Sequence, residues 1–365
     1  MGLTRVKLVG LGGYGNGYVG AVLDRAGELG VELAGAVDPD PSGCLRRNEV
    51  RAAAGTIHTT IDEFFAEREA DLAVISAPIP LHAPFTVAAI EHGASVLCEK
   101  PVAGVIQDAL TMERAEREAR RARAGESSVP RDSLGPKVAI GYQWSFSNAI
   151  QAIRRDVAAG RFGVPLQLKT LVFWPRGRAY YRRSGWAGAI RTEAGWVLDS
   201  PVNNATAHYL HNMLFVLGGE GGRPLSVSAE LYRANPGAVE DLGSPEVTHA
   251  EKLAKAARSV RDGTPVACTI SDATHQLRVA CGAHESHPIV DFPEELVRVT
   301  PLSGGPAPSG QGDEMRWVEG LQAAFTQAFT QGALPSELGS FSWAQPGRSV
   351  DLSDYDTFPS KTHGI

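Results

Sequence analysis

Cysteine is scarce: Cys44, Cys98, Cys268 and Cys281 are the only four in 365 residues, and no two stand at C-x-x-C spacing. That scatter excludes a thiolate zinc knuckle or a dithiol redox pair and points to a reducing, cytoplasmic setting. An excess of positive charge is also missing. Lys plus Arg is 35 against 41 Asp plus Glu, a formal charge of −6, which repels a phosphate backbone and argues against nucleic acid as a partner. No long apolar run occurs either. The most apolar helical stretch, 202–217, contains Asn203, Asn204, His208, His211 and Asn212, too many polar groups for a membrane span. Met1-Gly2-Leu3-Thr4-Arg5-Val6 passes straight into strand-like sequence without the apolar core of a signal peptide, so export is not expected. Internal repeats are absent, and 43% hydrophobic with 21% charged residues excludes wholesale disorder.

The length is that of about two domains. From Arg5 to Gly141, short apolar runs alternate with helical patterns, as in a parallel sheet wrapped by helices. The expected strands are Val6–Val9, Val31–Val37, Leu72–Ser76, Ser95–Cys98 and Lys137–Gly141, all apolar enough to be buried on both faces. Val19, Val22, Leu23 and Ala26 recur at helical spacing, and Thr60 with Glu63 forms a capping box ahead of Phe64 and Phe65. The alternating charges of 113–123 read as a solvated helix face, and 125–136 as an exposed loop. Beyond Gly141 the units are fewer and longer. They are a helix at Ser147–Ala159, a strand at Leu166–Phe173, an Arg/Tyr-rich loop, a helix from Pro201, a strand at Leu225–Tyr232, helices at Thr248–Arg261 and Ser271–Cys281, and a Gly/Pro/Ser loop at Ser303–Gly312. We therefore expect an α/β Rossmann domain at 1–141 and an α+β domain at 142–365.

Gly10-Leu11-Gly12-Gly13-Tyr14-Gly15 is a G-x-G-x-x-G loop between a strand and a helix, the context of a dinucleotide fingerprint. Gly10 serves the tight turn, Gly12 admits a pyrophosphate near the backbone, and Gly15 allows close helix packing. Asp38, at the end of the second strand, stands where a carboxylate binds a ribose 2′-hydroxyl and repels a 2′-phosphate, so NAD is expected ahead of NADP, with Arg46 and Arg47 near enough to serve the latter.

The segments Val9–Gly15, Val37-Asp38-Pro39, Leu97-Cys98-Glu99-Lys100-Pro101 and the helix bearing Asn204 and His208 resemble the Gfo/Idh/MocA oxidoreductases, through most of the chain but more weakly after about residue 235. The resemblance implies a Rossmann domain followed by an α+β domain on an open, mainly antiparallel sheet, shortened here because few strand candidates follow Tyr232. It places Gly10, Gly12, Gly13, Tyr14, Gly15, Asp38, Pro78, His82, Glu99 and Lys100 about the cofactor. It makes Lys100 the cation on the substrate hydroxyl and His208 the proton acceptor. The family's helix carries Asp-x-x-x-His-x-x-Asp, and the same register here reads Asn204, His208 and His211. An amide orients an imidazole without supplying charge, so Asp199 is a candidate for the missing carboxylate. Tyr142, Trp144, Arg182, Asp199, Asn203 and His211 are expected on the substrate side. The loop from Trp174 to Trp186 suits stacking and hydroxyl binding by a sugar, inositol or related polyol.

No metal is expected, since two histidines lack a third ligand. A homo-oligomer is possible, with the shortened sheet weakening the family's usual interface. Three functions follow: an NAD-dependent dehydrogenase acting on CH–OH groups, a glycoside hydrolase that retains its NAD, or a silent NAD-binding regulator.

Overall fold

The computed structural model describes residues 2–124, 135–173, 177–182, 184–218, 222–233, 247–302 and 313–360. The first part runs β1 (Thr4–Val9), α1 (Gly15–Leu29), β2 (Val31–Val37), α2 (Arg47–Ala54), β3 (Ile57–His58), α3 (Ile61–Glu67), β4 (Leu72–Ile75), α4 (His82–Glu91), β5 (Ser95–Cys98), α5 (Ile106–Ala124), β6 (Val138–Ile140) and α6 (Asn148–Ala158). The remainder runs α7 (Arg178–Arg182), β7 (Arg191–Thr192), β8 (Gly195–Trp196), α8 (Ala207–Leu217), β9 (Ser226–Val227), β10 (Leu231–Arg233), α9 (His249–Asp262), α10 (Ile270–Ser286), β11 (Ile289–Asp291), β12 (Val297–Leu302), β13 (Asp313–Val318), α11 (Leu321–Gln331) and β14 (Val350–Asp351).

These elements fall into two compact units, Met1–Arg155 with Pro245–Thr274, and Asp156–Ser244 with His275–Ile365. The first unit thus continues past the Gly141–Tyr142 boundary and takes a later piece of chain. That piece is tied in by hydrogen bonds: Ile140 N–H donates to Cys268 O (2.9 Å), Gln151 Nε2 to Ala267 O (3.0 Å) and Lys137 Nζ to Thr264 O (2.6 Å).

In the first unit a six-stranded sheet has the order β3-β2-β1-β4-β5-β6, with every pairing parallel. This is the doubly wound arrangement, and its strand order reverses between β1 and β4, where such sheets open a crevice at the strand C-termini. All five expected strands are present, and the short β3 is an addition. Burial on both faces explains their legibility: β4 and β5 are enclosed along their whole length. The Thr60 capping box forms as expected, with Thr60 Oγ1 accepting from Glu63 N (3.2 Å) and Glu63 Oε2 from Thr60 N (3.2 Å).

In the second unit the described strands form separate two-stranded pieces: β7–β8, β9–β14 and β12–β13 antiparallel, β10–β11 parallel. The expected strand at Leu166–Phe173 does not form. Leu166 and Leu168 are exposed, so its apolar alternation has no face to cover it. The strand expected at Leu225–Tyr232 is divided into β9 and β10, which take different partners. Loop residues 125–134 and 303–312 lie outside the described residues, as do 234–246. Among the described residues no helix is long and apolar enough to cross a membrane.

Among the buried polar positions is a lysine of the sheet. Lys7 is wholly buried in β1 opposite Gly35 of β2, where a Cβ would lie 2.3 Å from the Phe64 ring. Its Nζ has no hydrogen-bond partner and sits 3.4 Å from the Phe65 ring centroid and 4.7 Å from that of Phe64. Burial pushes its pKa down to about 6, with Asp62 opposing. A cation over an aromatic ring gains about 1–2 kcal/mol. Losing four pKa units costs several times that at about 1.4 kcal/mol each, so desolvation wins. The unfolded chain then binds more protons than the folded one between pH 6 and the ordinary amine range, so this residue makes stability rise with pH there. Lys7→Met should raise the melting temperature at pH 7 and flatten its pH dependence between 6 and 10. Thermal melts across that range provide the check.

Candidate functional site

The glycine loop lies at the C-terminal ends of β1 and β4. Gly10 has φ +81°, and a Cβ there would lie 2.8 Å from Ser76 O, so only glycine makes the turn over β4. At Gly15 a Cβ would stand 2.2 Å from Gly10 O, which explains how α1 starts directly above the loop. The first turn of α1 holds no acidic side chain, leaving its positive end uncompensated from within the helix. Asp38 spans the crevice mouth. Its Oδ2 accepts from Leu11 N (2.8 Å) and Oδ1 from Asp40 N (3.0 Å), and each oxygen keeps a second lone pair. Ser76 Oγ, buried beneath the loop, has no hydrogen-bond partner. A Cβ-free loop, an anchored carboxylate and an unsatisfied hydroxyl at the switch point fit a dinucleotide. Arg46 is engaged by Asp24 (2.7 Å) and Glu49 (2.5 Å), which neutralise it as a 2′-phosphate ligand, while Arg47 is exposed.

The next strand exit carries the Glu99-Lys100-Pro101 turn, with the Lys100–Pro101 peptide cis. Lys100 N–H donates to Glu99 Oε2 (3.2 Å). Pro78 is exposed at the start of the loop that leads to His82. His82 itself is buried in the first turn of α4, its Nδ1 2.8 Å from Pro101 O and its Nε2 2.9 Å from Ala77 O. The imidazole bridges the β4 and β5 exits, donating to one of the two carbonyls when neutral and to both only when charged. Burial lowers its pKa, against the two carbonyls that favour the proton. Glu99 is buried too, yet its carboxyl is held below the usual range: burial opposes ionisation, and the Lys252 ammonium with the Tyr18 hydroxyl (2.5 Å) outweighs it. Tyr142 is fully enclosed after β6, and Trp144 is half-buried in the turn that follows.

The second unit holds the other group. The helix expected from Pro201 to Leu217 is not continuous: 201–205 form a π-helical turn, Thr206 leaves helical geometry, and α8 begins at Ala207. Ser200 caps it as expected, its Oγ accepting from Asn203 N (3.2 Å), with Pro201 in the first turn. Asp199 follows Leu198, a buried non-glycine residue at φ +47°, a conformation that costs about 1–2 kcal/mol. Its Oδ1 accepts from Asn204 Nδ2 (2.7 Å) and its Oδ2 from Gly188 N (2.5 Å). The carboxylate sought near the helix is thus on the Asn204 amide. Asn203, Asn204, His208 and His211 are all buried, and Asn203 keeps an unsatisfied Oδ1 while its Nδ2 donates to Val197 O (3.2 Å). Arg182 is exposed at the end of α7, and Trp174, Pro175, Arg176 and Arg183 lie outside the described residues. Among the described residues no three His, Cys, Asp or Glu side chains are grouped to hold a metal. A groove of about 730 Å³ along β13 and α11 is lined by Trp317 with several Gln and Thr and includes none of these candidates.

Residues 4–124 match the oxidoreductase family with an NAD-binding Rossmann fold, Gfo/Idh/MocA. That segment belongs to the Gfo/Idh/MocA family. Curated relatives include 1,5-anhydro-D-fructose reductase of Ensifer adhaerens, 29% identical over 187 residues (50% of this chain, 48% of the relative). Another is inositol 2-dehydrogenase 4 of Saccharopolyspora erythraea, 31% identical over 166 residues (44% of this chain, 43% of the relative). The chain spans about half the length of the curated relatives it matches. Among solved structures, the WlbA dehydrogenase of Chromobacterium violaceum, crystallised with NADH and UDP-GlcNAcA, aligns with TM-score 0.60 at 18% identity over 78% of this chain and 93% of that one. At that identity the likeness concerns the fold. The family's NAD-binding module accounts for the glycine loop and Asp38, and this cofactor would be held by them with the strand exits at Ser76 and Glu99.

Three residues of this module escaped the sequence reading: Lys252, His249 and Ser76. Lys252 lies on α9 at i, i+4 and i+7 with Ala256 and Ser259, inside the buried stripe, and a lysine on an apolar stripe is the signal that marks it. The loop geometry makes a sharp contrast between two glycines of α1. Gly15→Ala should abolish measurable NADH binding and lower the melting temperature, because its Cβ collides with Gly10 O. Gly20→Ala, where a Cβ meets nothing within 4 Å, should bind normally and melt slightly higher. Fluorescence titration with NADH beside thermal melts tests both.

Proposed function

We propose that the protein is an NAD-dependent dehydrogenase of a sugar, inositol or related polyol, oxidising CH–OH or reducing the corresponding carbonyl. The observation that carries this reading is the switch-point crevice, with its Cβ-free loop, Asp38 and the Glu99-Lys100-Pro101 turn, in a segment belonging to the Gfo/Idh/MocA oxidoreductases. The nicotinamide, when bound, accepts or supplies the hydride. Gly10, Gly12, Gly13, Tyr14, Gly15 and Asp38 bind the dinucleotide, and His82 holds the two loops that flank Lys100. The Lys100 ammonium stabilises alkoxide character on the substrate oxygen. His208 accepts the hydroxyl proton in the oxidative direction and returns it in the reductive one.

Asn204 takes the place of a carboxylate beside that base and is itself polarised by Asp199 (2.7 Å). In this reading the anion acts through an amide rather than directly. Asn203 with its unsatisfied Oδ1, His211, Trp144, Tyr142 and Arg182 belong to the substrate side, Tyr142 as buried support. The substrate is a small polyhydroxylated molecule. The protein works in the cytoplasm, and a homo-oligomer is compatible with this role.

The test is incubation with NAD or NADP and a panel of sugars, inositols, sugar acids and aryl glycosides, following reduced cofactor and released aglycone. Reduced cofactor that appears with NAD and is lost by at least about a hundredfold in His208→Ala is the expected result. Aglycone release without net NADH would replace this reading with the cofactor-retaining hydrolase. Tight NAD binding without turnover across the panel would favour a regulator. Within the dehydrogenase reading, Asp199→Asn should lower kcat more than it raises KM, and an unchanged kcat would remove Asp199 from the mechanism.

A further inference from the structure

The buried Glu99 carboxylate meets an ammonium from far along the chain. Lys252, 0% exposed on α9, donates to Glu99 Oε1, to Gly141 O (3.3 Å) and to Tyr14 OH (3.3 Å). Those three acceptors are three separate exits from the sheet: Tyr14 follows β1 in the glycine loop, Glu99 follows β5, and Gly141 follows β6. The Tyr14 and Tyr18 rings lie 5.1 and 5.5 Å from the ammonium, and His249, one turn earlier on α9, packs against both rings at 4.2 and 4.8 Å. Gly17 makes room for it, since a Cβ there would lie 2.7 Å from the His249 ring.

Resting on the NAD-binding reading above, we infer that Lys252 is a positioning residue of the dinucleotide site, locking the Glu99-Lys100 turn to Tyr14 of the glycine loop. Two effects follow from one ion pair. Glu99, adjacent to Lys100 in the chain, is neutralised by a different lysine, so Lys100 is not drawn onto it. The crevice edge is also spared an uncompensated negative charge, which would disfavour an anionic dinucleotide. The functional cofactor unit is then discontinuous: residues 4–124 supply the binding loop, and α9 supplies the cation that holds it.

The test uses the full chain with Lys252→Met, Glu99→Gln and the double variant, each titrated with NADH from pH 6 to 9 and melted over the same range. The groups facing the pair are Tyr14 from the glycine loop, Tyr18 from α1, Cys98 from β5, His249 from α9, His82 from α4 and Lys100. All of them remain in every variant. Lys252→Met leaves a buried carboxylate alone, so its NADH affinity should fall about tenfold or more at pH 8 and recover toward pH 6 as Glu99 takes a proton. Glu99→Gln leaves a buried ammonium alone, an uncompensated positive charge at the same edge, so its affinity should hold at low pH and weaken as pH rises and Lys252 loses its proton. The double variant should regain thermal stability and lose the pH dependence while still binding about tenfold more weakly, because the tie to Tyr14 is gone.

Wild-type protein that binds no NADH overturns the NAD-binding reading and this inference with it. Wild-type binding together with Lys252→Met binding within twofold at every pH overturns the inference alone. Should Lys252→Met not fold, binding by the double variant within twofold of wild type does the same.

Discussion

A carboxylate buried at the C-terminal edge of a parallel sheet has to be matched by a cation, and much of the first unit is arranged to satisfy Glu99. Removing one partner of such a pair strands the other in a medium that cannot solvate it, a cost of about 3–5 kcal/mol. Here the partner is 153 residues away, on a helix that returns to the sheet after the chain has supplied about half of another unit. The return of 247–274 to the Rossmann sheet is thus an electrostatic requirement as well as a packing one. Its capping box at Thr248 and Glu251 starts α9, and its buried alanine face packs inward on the same side as Lys252.

The same edge shows how two sets of constraints meet without competing. Steric exclusion shapes the glycine loop: Gly10 and Gly15 are required because backbone oxygens occupy the space a Cβ would need. Charge and hydrogen bonding shape the turns around it, through Asp38 on Leu11 N, His82 between Ala77 and Pro101, and Lys252 on Glu99. Sterics brings α1 close to the sheet, and polar clamps then hold the flexible exits.

What could be read from the sequence follows from which of these constraints are local. The strands of the Rossmann sheet are buried on both faces and therefore written as unbroken Val, Leu and Ile runs, and the glycine loop and the Thr60 cap are complete within a few residues. Lys252 and Glu99 share no window of sequence, and a lysine in Glu-Lys-Leu-Ala-Lys reads as a solvated helix face unless its apolar stripe is noticed. The failure at Leu166–Phe173 has the opposite cause: the alternation is genuine, but a strand needs a partner and a covering layer, and neither is encoded nearby. The π-helical turn at 201–205 escaped because an extra residue in a helical turn leaves no mark on hydrophobic periodicity.

The departure at Asn204 can be weighed on the same physical basis. A carboxylate in contact with a histidine raises its basicity by direct attraction, an effect that falls with distance and with every neutral group interposed. With Asp199 bonded to the Asn204 amide, the negative charge is kept but moved one hydrogen bond further from any group the amide orients. The backbone at Leu198 and the second hydrogen bond, from Gly188, hold that carboxylate in place. An arrangement that spends backbone strain to anchor a charge behind an amide favours orientation over basicity.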